Sequence, residues 1–257
     1  MIIENYGVGA RCAETLRLLL LADEKGQFPP DIKRTVLLPI PTTRDKLHLT
    51  GTDKLLDEIF DDAKKGDLIA GYGISDEAKL SMRNRGAIVY DALDDEDFLS
   101  ENAEETAIGA LGYILSTSEK TPKDTRFAVV GYGRIGSRLV RLILFLGGNV
   151  KVYTGKEKTC ISLGECGINA ELVLRGEPLP RIDADVLINT APTDLSGSFP
   201  TGKLPKNLRV IELASGENFK GIEGIERLPG IPDKSYGKSA GHTYFLRISS
   251  YAKEVTK

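Results

Sequence analysis

The sequence predicts an α/β chain carrying two doubly wound parallel sheets. Three observations support this. Short β-branched or apolar runs alternate with helix-patterned stretches, and such alternation feeds parallel strands. One strand-to-helix passage, Val129-Val130-Gly131-Tyr132-Gly133-Arg134-Ile135-Gly136, is a G-x-G-x-x-G turn. The 257 residues are 41% hydrophobic and 28% charged, an ordinary globular balance that supplies a sizeable core without disulfides.

Composition also excludes several classes. The formal net charge is −3, and no basic tract is interleaved with aromatics, so no nucleic acid is expected. Cys12, Cys160 and Cys166 are scattered and lack zinc-like spacing. They read as reduced thiols of a cytoplasmic protein, with no metal expected. The apolar run Leu16 to Ala22 is far shorter than the roughly 20 residues of a membrane span. No signal peptide is visible, and no membrane association is expected. A homo-oligomer is expected, the dimer being the commonest assembly.

The first unit opens with a helix over Ala10 to Asp23. Thr35 to Pro39 is a short strand, broken by Pro39 and Pro41. The loop Pro41-Thr42-Thr43-Arg44-Asp45 then stands at a strand's C-terminal end, where open α/β sheets place ligands. Thr52 to Lys64 patterns as an amphipathic helix. Asp67 to Ala70 is a strand that stops at Gly71-Tyr72-Gly73, a turn without the third glycine of a nucleotide loop. Ser75 to Asn84 is a helix and Ala87 to Tyr90 a strand. Asn102 to Thr117 is a long helix whose Ala103, Ala107, Gly109, Ala110 and Gly112 suit close packing.

The second unit is built on the glycine turn. Phe127 to Val130 is a buried strand, Ser137 to Leu146 a helix and Asn149 to Tyr153 a strand, which together form a strand–helix–strand unit of the size a dinucleotide site needs. Gly131 permits the tight turn, Gly133 lets backbone approach a pyrophosphate, and Gly136 lets helix and strand pack closely. The N–H groups around Tyr132, Arg134 and Ile135 then face the phosphates at a helix N-terminus. Further strands are expected at Glu171 to Leu174, Val186 to Asn189 and Leu208 to Leu213. Thr190, Ala191 and Pro192 end one of these strands. Ser215 follows the next, on the side that faces a nicotinamide ribose. Ser239 to Val255 reads as a final helix crossing back onto the first unit.

The ribose-reading position follows the second strand. Here Tyr153 is followed by Thr154-Gly155-Lys156, with Lys158 nearby and no carboxylate at Thr154. A carboxylate would repel a 2′-phosphate, whereas a hydroxyl and a lysine accept one. The sequence therefore predicts NADP in preference to NAD, with Thr154 and Lys156 as readers. The alternative is that Lys156 and Lys158 are solvated charges.

At these residues the chain resembles the A subunit of dipicolinate synthase. The stretches that carry the resemblance are Phe127 to Tyr153, Asn189-Thr190-Ala191-Pro192 and Leu213-Ala214-Ser215-Gly216. Pro229 to Gly241, PGIPDKSYGKSAG, is similar to the family's PGLPGKVAPKTAG without a gap. Asn102 to Gly109 is similar to its NAIPTAEG, and Leu38 to Thr43 to its L-P-V-x-x-T loop. Ile108 stands where the family has Glu, Asp233 where it has Gly, and Gly237 where it has Pro. The resemblance implies a two-domain fold like the formate/glycerate dehydrogenases. Residues 1–101 would form a flavodoxin-like substrate domain and residues 102–118 a linking helix. Residues 119–238 would form a Rossmann NAD(P)-binding domain, and residues 239–257 a helix returning toward the first domain. It also implies oxidation of a dihydropyridine-type dicarboxylate to dipicolinate, a flavoprotein-like partner (the B subunit), and a product used in sporulation.

Two carboxylates on such a substrate need donors. Thr42, Thr43 and Arg44 offer hydroxyls and a charged fork. Lys238 and Ser239 offer donors at a helix N-terminus that favours anions, and Lys238 is also a candidate for proton transfer. Ser239 reads equally as a plain N-cap. His242 is a candidate acid/base, whereas His48 reads as a loop residue. Two alternatives stand beside this reading. A D-2-hydroxyacid dehydrogenase would carry Arg where Ser215 stands. A non-catalytic NAD(P)-binding partner is suggested by Ile108 in place of Glu.

Overall fold

The computed structural model describes residues 1–180 and 182–257. The chain divides into two compact units, Met1–Asn102 with Pro232–Lys257, and Ala103–Ile231. Each contains one parallel sheet, four-stranded in the first and six-stranded in the second.

In the first unit the chain runs β1 (Ile2–Asn5), α1 (Gly9–Glu24), β2 (Arg34–Leu37), α2 (Leu56–Phe60), β3 (Asp67–Gly71), α3 (Asp76–Asn84) and β4 (Ile88–Asp91). It then enters α4 (Glu96–Ser116), and α7 (Ile231–Val255) supplies the late segment. The strand order is β1-β2-β3-β4, all parallel. This differs from the flavodoxin order 2-1-3-4-5, in which β1 lies inside the sheet. The sequence of β1 explains its place. It carries Glu4 and Asn5 and leaves Ile2 64% exposed, which an edge strand tolerates and a central one does not.

Both faces of this sheet are covered. Leu37, Leu68, Ala70 and Tyr90 pack with Cys12 and Leu19 of α1, Phe98 of α4, and Tyr244, Ile248 and Ala252 of α7. Val36, Leu38, Ile69 and Val89 pack with Ile59 and Phe60 of α2 and Met82 of α3. Alternation along each strand thus feeds two separate apolar layers.

Four helices differ from expectation, α4 beginning at Glu96 rather than Asn102 and α5 at Arg134 rather than Ser137. α2 has five residues rather than the span Thr52 to Lys64. The chain before it folds back on itself, Leu49 N–H donating to Lys54 O and His48 bridging Leu55. After it, the Asp67 carboxylate takes the Lys64 N–H and turns the chain into β3. The last helix begins at Ile231 rather than Ser239, with Pro232 tolerated in its first turn, and it is interrupted at Tyr236 (φ −136°, ψ 39°). Ser239 therefore lies inside the second segment and is exposed. Gly237 and Gly241 seat that segment on α1. A Cβ at Gly237 would collide with Ala10, and one at Gly241 would lie 2.6 Å from Arg11 O. Asp233 completes the junction, its Oδ1 accepting the Arg11 N–H at 2.6 Å. It caps an α1 whose own Val8 lends no side chain.

The second unit contains β5 (Arg126–Val130), α5 (Arg134–Phe145), β6 (Asn149–Thr154), α6 (Glu157–Glu165), β7 (Asn169–Leu172), β8 (Val186–Asn189), β9 (Arg209–Glu212) and β10 (Ile225–Arg227). The order β10-β9-β8-β5-β6-β7 is that of the Rossmann fold. One face, with Phe127, Val129, Val152 and Ile188, lies under Ala107 and Leu111 of α4, Leu139 and Ile143 of α5, and Leu163 of α6. The other face, with Ala128, Val130, Tyr153, Leu187 and Val210, lies under Leu179, Leu195, Phe199, Leu208 and Phe219. Among the described residues those covering segments form no α-helix, only a short 3-10 turn at Ser196–Ser198.

The sequence did not reveal β1, α6 or β10. β1 and β10 are short and half-exposed, and α6 buries one residue, Leu163. Among the described residues no helix is long and apolar enough to cross a membrane, and no group of side chains has the composition of a metal site. Cys12 is buried, Cys160 partly so and Cys166 exposed, and all three are free thiols.

Candidate nucleotide-binding site

The glycine turn lies where the strand order reverses, between β5 and β8. Gly131 N–H donates to Tyr153 O at 2.8 Å, which fixes the turn onto β6. The three glycines have distinct surroundings. Gly131 has φ +91°, and a Cβ there would lie 2.8 Å from Thr190 Oγ1. A Cβ at Gly136 would collide with the Gly131 carbonyl oxygen. At Gly133 a Cβ would meet no described atom within 4 Å, and its backbone (φ −87°, ψ −158°) is extended. Two of the glycines are thus required by the fold, while Gly133 faces open space at the start of α5. Tyr132 and Ile135 pack on the core beneath, whereas Gly133 and Arg134 are exposed. Gly133 offers no capping side chain, so the first-turn amides of α5 are oriented for an anion.

Beside the turn lies a pocket of about 220 Å³, lined by Val130, Tyr153, Val173, Leu174, Leu179 and Pro192 among others. Its apolar walls suit the faces of a base. Arg175 and Glu177 also border it. The Thr154 side chain is buried and its hydroxyl oxygen accepts the Lys156 N–H at 3.3 Å. Lys156 is exposed just before α6, and Lys158 is exposed in the first turn of α6. Arg175 is a cation that sequence reasoning did not single out. It follows β7 in an irregular stretch that carries no pattern.

The ends of β8 and β9 close the other side. Thr190 donates its hydroxyl and its N–H to Val130 O, both at 2.9 Å. Ala191 N–H donates to Asn189 Oδ1 at 3.1 Å, and Pro192 follows at the pocket. Ser215 contributes its carbonyl, which accepts from Asn218 Nδ2 at 3.2 Å. Between these loops lies a carboxylate that sequence reasoning missed. Glu212 is 3% exposed and accepts from Asn189 Nδ2 (3.0 Å), Ala214 N–H (2.8 Å) and Asn218 Nδ2 (3.2 Å). Burial raises its pKa, and the three hydrogen bonds oppose that rise. The available signal was a polar residue ending each of two apolar runs, Asn189 and Glu212, which are register partners.

The remaining sequence-derived candidates lie in the first unit. Thr42 is fully buried and its hydroxyl oxygen accepts the Tyr72 N–H at 2.8 Å. Thr43 donates to Asp45 Oδ1 and accepts the Lys46 N–H, while Arg44 is exposed. The same loop forms a pair not anticipated from sequence, Asp45 Oδ2 with His48 Nδ1 at 2.8 Å. The His48 amide, the His48 ring and the Leu47 amide together hold Asp45 below the usual carboxylate range. Lys238, Ser239 and His242 all lie exposed on the second segment of α7. The Glu14 carboxyl is lowered mainly by its Arg17 hydrogen bond, with smaller contributions from Lys238 and His242.

No family model matches the chain. The A subunit of dipicolinate synthase from Bacillus subtilis (strain 168) is 27% identical over 169 residues, covering 62% of this chain and 56% of that relative. The match therefore spans little more than half of the relative's length. The crystal structure of the corresponding A subunit from Bacillus halodurans superposes with a TM-score of 0.73 at 21% identity, covering 98% of this chain and 97% of that one. The first comparison is a similarity in sequence to this A subunit, and the second shows a shared fold. A 3-phosphoglycerate dehydrogenase from Entamoeba histolytica, solved with NAD+, shares the fold more loosely, with a TM-score of 0.54 at 13% identity, covering 100% of this chain and 96% of that one. These solved structures share the fold of this chain.

Proposed function

We propose that the chain is an NADP-dependent oxidoreductase, NAD being the second choice, that oxidises a dihydropyridine-type dicarboxylate to dipicolinate. One observation carries the nucleotide part. Of the three glycines in the turn, Gly133 alone has an open Cβ position, and it stands before the first-turn amides of α5 beside an apolar pocket. The residues present therefore fit a dinucleotide. The α5 amides would hold the pyrophosphate and the Val130–Tyr153 pocket the adenine, with Ala191 and Pro192 at the rim of that pocket and Thr190 and Ser215 on the nicotinamide side. Lys156 and Arg175 are the cations for a 2′-phosphate. The Thr154 side chain is buried, so its contribution is to hold the Lys156 N–H rather than to meet the phosphate.

A bound nicotinamide supplies a hydride acceptor. The substrate ring loses one hydride and one proton and becomes aromatic. Arg44 and Thr43 are suited to one carboxylate, and Lys238 with Ser239 to another. His242 and Lys238 are the candidates that take the proton. His48 joins them, because Asp45 fixes its Nδ1 and leaves Nε2 to face a ligand. The resemblance further suggests a flavoprotein-like partner (the B subunit), while a homo-oligomer follows from the commonness of dimers and a cytoplasmic setting from the scattered cysteines.

Calorimetric titration with NADP and with NAD, each with and without dipicolinate, tests the reading. NADP binding strengthened by dipicolinate supports it. Binding indifferent to dipicolinate removes the substrate assignment, and no nucleotide binding removes the whole. A second reading has one observation in its favour. Ile108 is 41% exposed on α4 where the resembling family has Glu, which suits a nucleotide-binding partner without catalysis of its own. Formation of reduced nicotinamide on any substrate excludes it.

A further inference from the structure

We propose that Glu212 is the positioning residue of the nucleotide site, its ionised carboxylate strapping the loop after β8 to the loop after β9. The inference rests on the nucleotide reading of those loops. Asn189 and Glu212 are register partners on adjacent strands, so both side chains leave the same face of the sheet. Asn189 Nδ2 reaches both carboxylate oxygens, at 3.0 and 3.3 Å. Its Oδ1 is already committed to Ala191 N–H, so the amide cannot turn over without losing that bond. On the other side Ala214 N–H donates to Oε1 and Asn218 Nδ2 to Oε2. Asn218 Nδ2 also holds Ser215 O, and Asn218 O takes the Leu195 N–H.

Every neighbour that meets this carboxylate is a donor. A group with two acceptor oxygens satisfies them all, whereas a protonated acid or an amide turns one donor against another. The cost of a buried carboxylate without an ion-pair partner is explained by what it holds. The loops it joins carry Ala191, Pro192 and Ser215, residues placed along the nucleotide. The groups facing Glu212 are the neutral amides Asn189 and Asn218, the Ala214 N–H, and Arg227, its register partner on β10, whose charge favours ionisation. Burial raises the carboxyl above its ordinary range. Protonation on acidification therefore begins at a higher pH than for a surface glutamate and releases the strap.

The test uses the whole chain as wild type and as Glu212→Gln. Hydrogen exchange of the free protein reads the loops without any nucleotide, and calorimetry with NAD reads affinity without a titrating 2′-phosphate. In the variant the amides of Ala191 and Ala214 should exchange about ten-fold faster, and NAD affinity should fall by about ten-fold, the scale of one hydrogen bond to a charged group. The β5 and β6 amides should not change. As pH falls, wild-type affinity should decline toward that of the variant, and the variant should show no such decline. Unchanged exchange and affinity in Glu212→Gln would overturn the proposal. If the variant does not fold, the wild type decides, because affinity independent of pH through the acidic range would overturn it equally. A wild type that binds no nucleotide refutes the nucleotide reading itself, a different outcome from nucleotide binding insensitive to Glu212.

Discussion

Replacing Gly133 with alanine separates the fold of the glycine turn from its binding. The added methyl meets no described atom within 4 Å, and the backbone at φ −87°, ψ −158° accepts a side chain. The folded state should therefore tolerate it. A glycine-to-alanine change at a compatible position stabilises by about 0.4–1 kcal/mol through the unfolded chain. The methyl projects into the space where a pyrophosphate would approach the α5 amides. Displacing one phosphate oxygen from one amide removes a hydrogen bond to a charged group, about 1.5–3 kcal/mol, or roughly a 10- to 150-fold rise in Kd. Gly136→Ala is the contrast. Its methyl collides with the Gly131 carbonyl oxygen and should lower stability as well as binding. The assay is thermal unfolding together with calorimetric titration of NADP for each variant. A Gly133→Ala protein with wild-type stability and wild-type Kd would refute the argument, because the open space would then face no ligand.

Three further outcomes concern contacts away from the glycine turn. Asp233→Ala removes the acceptor that caps α1 and should cost about 1 kcal/mol in denaturant unfolding, leaving nucleotide affinity unchanged. Asp185 accepts the Arg126 N–H and is joined by the Arg126 and Lys120 side chains, which depress its pKa to about 2. Its contribution, on the order of 1 kcal/mol after solvent screening, is present above the ordinary aspartate value of about 3.9 and is lost as pH falls toward the depressed value. Acid unfolding of Asp185→Asn should lack that component. Arg175→Ala should weaken NADP by about ten-fold while leaving NAD unaffected, the loss of one charge-assisted contact. Equal losses for both nucleotides would place Arg175 elsewhere than at the 2′-phosphate.

The second unit was legible because its signals are local. The glycine spacing, the strand Phe127 to Val130 and the helix behind it each follow from neighbouring residues, and β8 and β9 are uninterrupted apolar runs. The first sheet was legible in three of its strands, but not in β1 or in its order. Which strand takes an edge depends on pairings between distant segments. The α2 stretch carried a helical pattern that tertiary contacts overrode, through the Leu49–Lys54 turn and the Asp67 bond to Lys64 N–H. Within the candidate site, the turn of Gly131, Gly133 and Gly136 was legible from its spacing between a strand and a helix. The setting of Glu212 was not, because its partner Asn189 ends another strand and Asn218 lies in the loop after β9. The Asp45–His48 pair is three residues apart, yet only the folded loop shows the ring turned onto the carboxylate.

The first unit is discontinuous, and that sets an order of events during synthesis. The second unit comes from one unbroken stretch, Ala103–Ile231, so all its strands are synthesised before most of α7. The sheet of the first unit is translated earlier but must wait. Tyr244, Ile248 and Ala252 cover Leu37, Leu68 and Tyr90, and the Asp233 bond to Arg11 joins positions 222 residues apart. Until the last helix emerges, the first unit of the nascent chain is a half-roofed sheet. That interval is when the apolar face is open to wrong partners and when a chaperone has most to do. A stop within α7 should therefore yield a protein whose second unit is folded and whose first unit is not, a failure arising in biosynthesis rather than at the site.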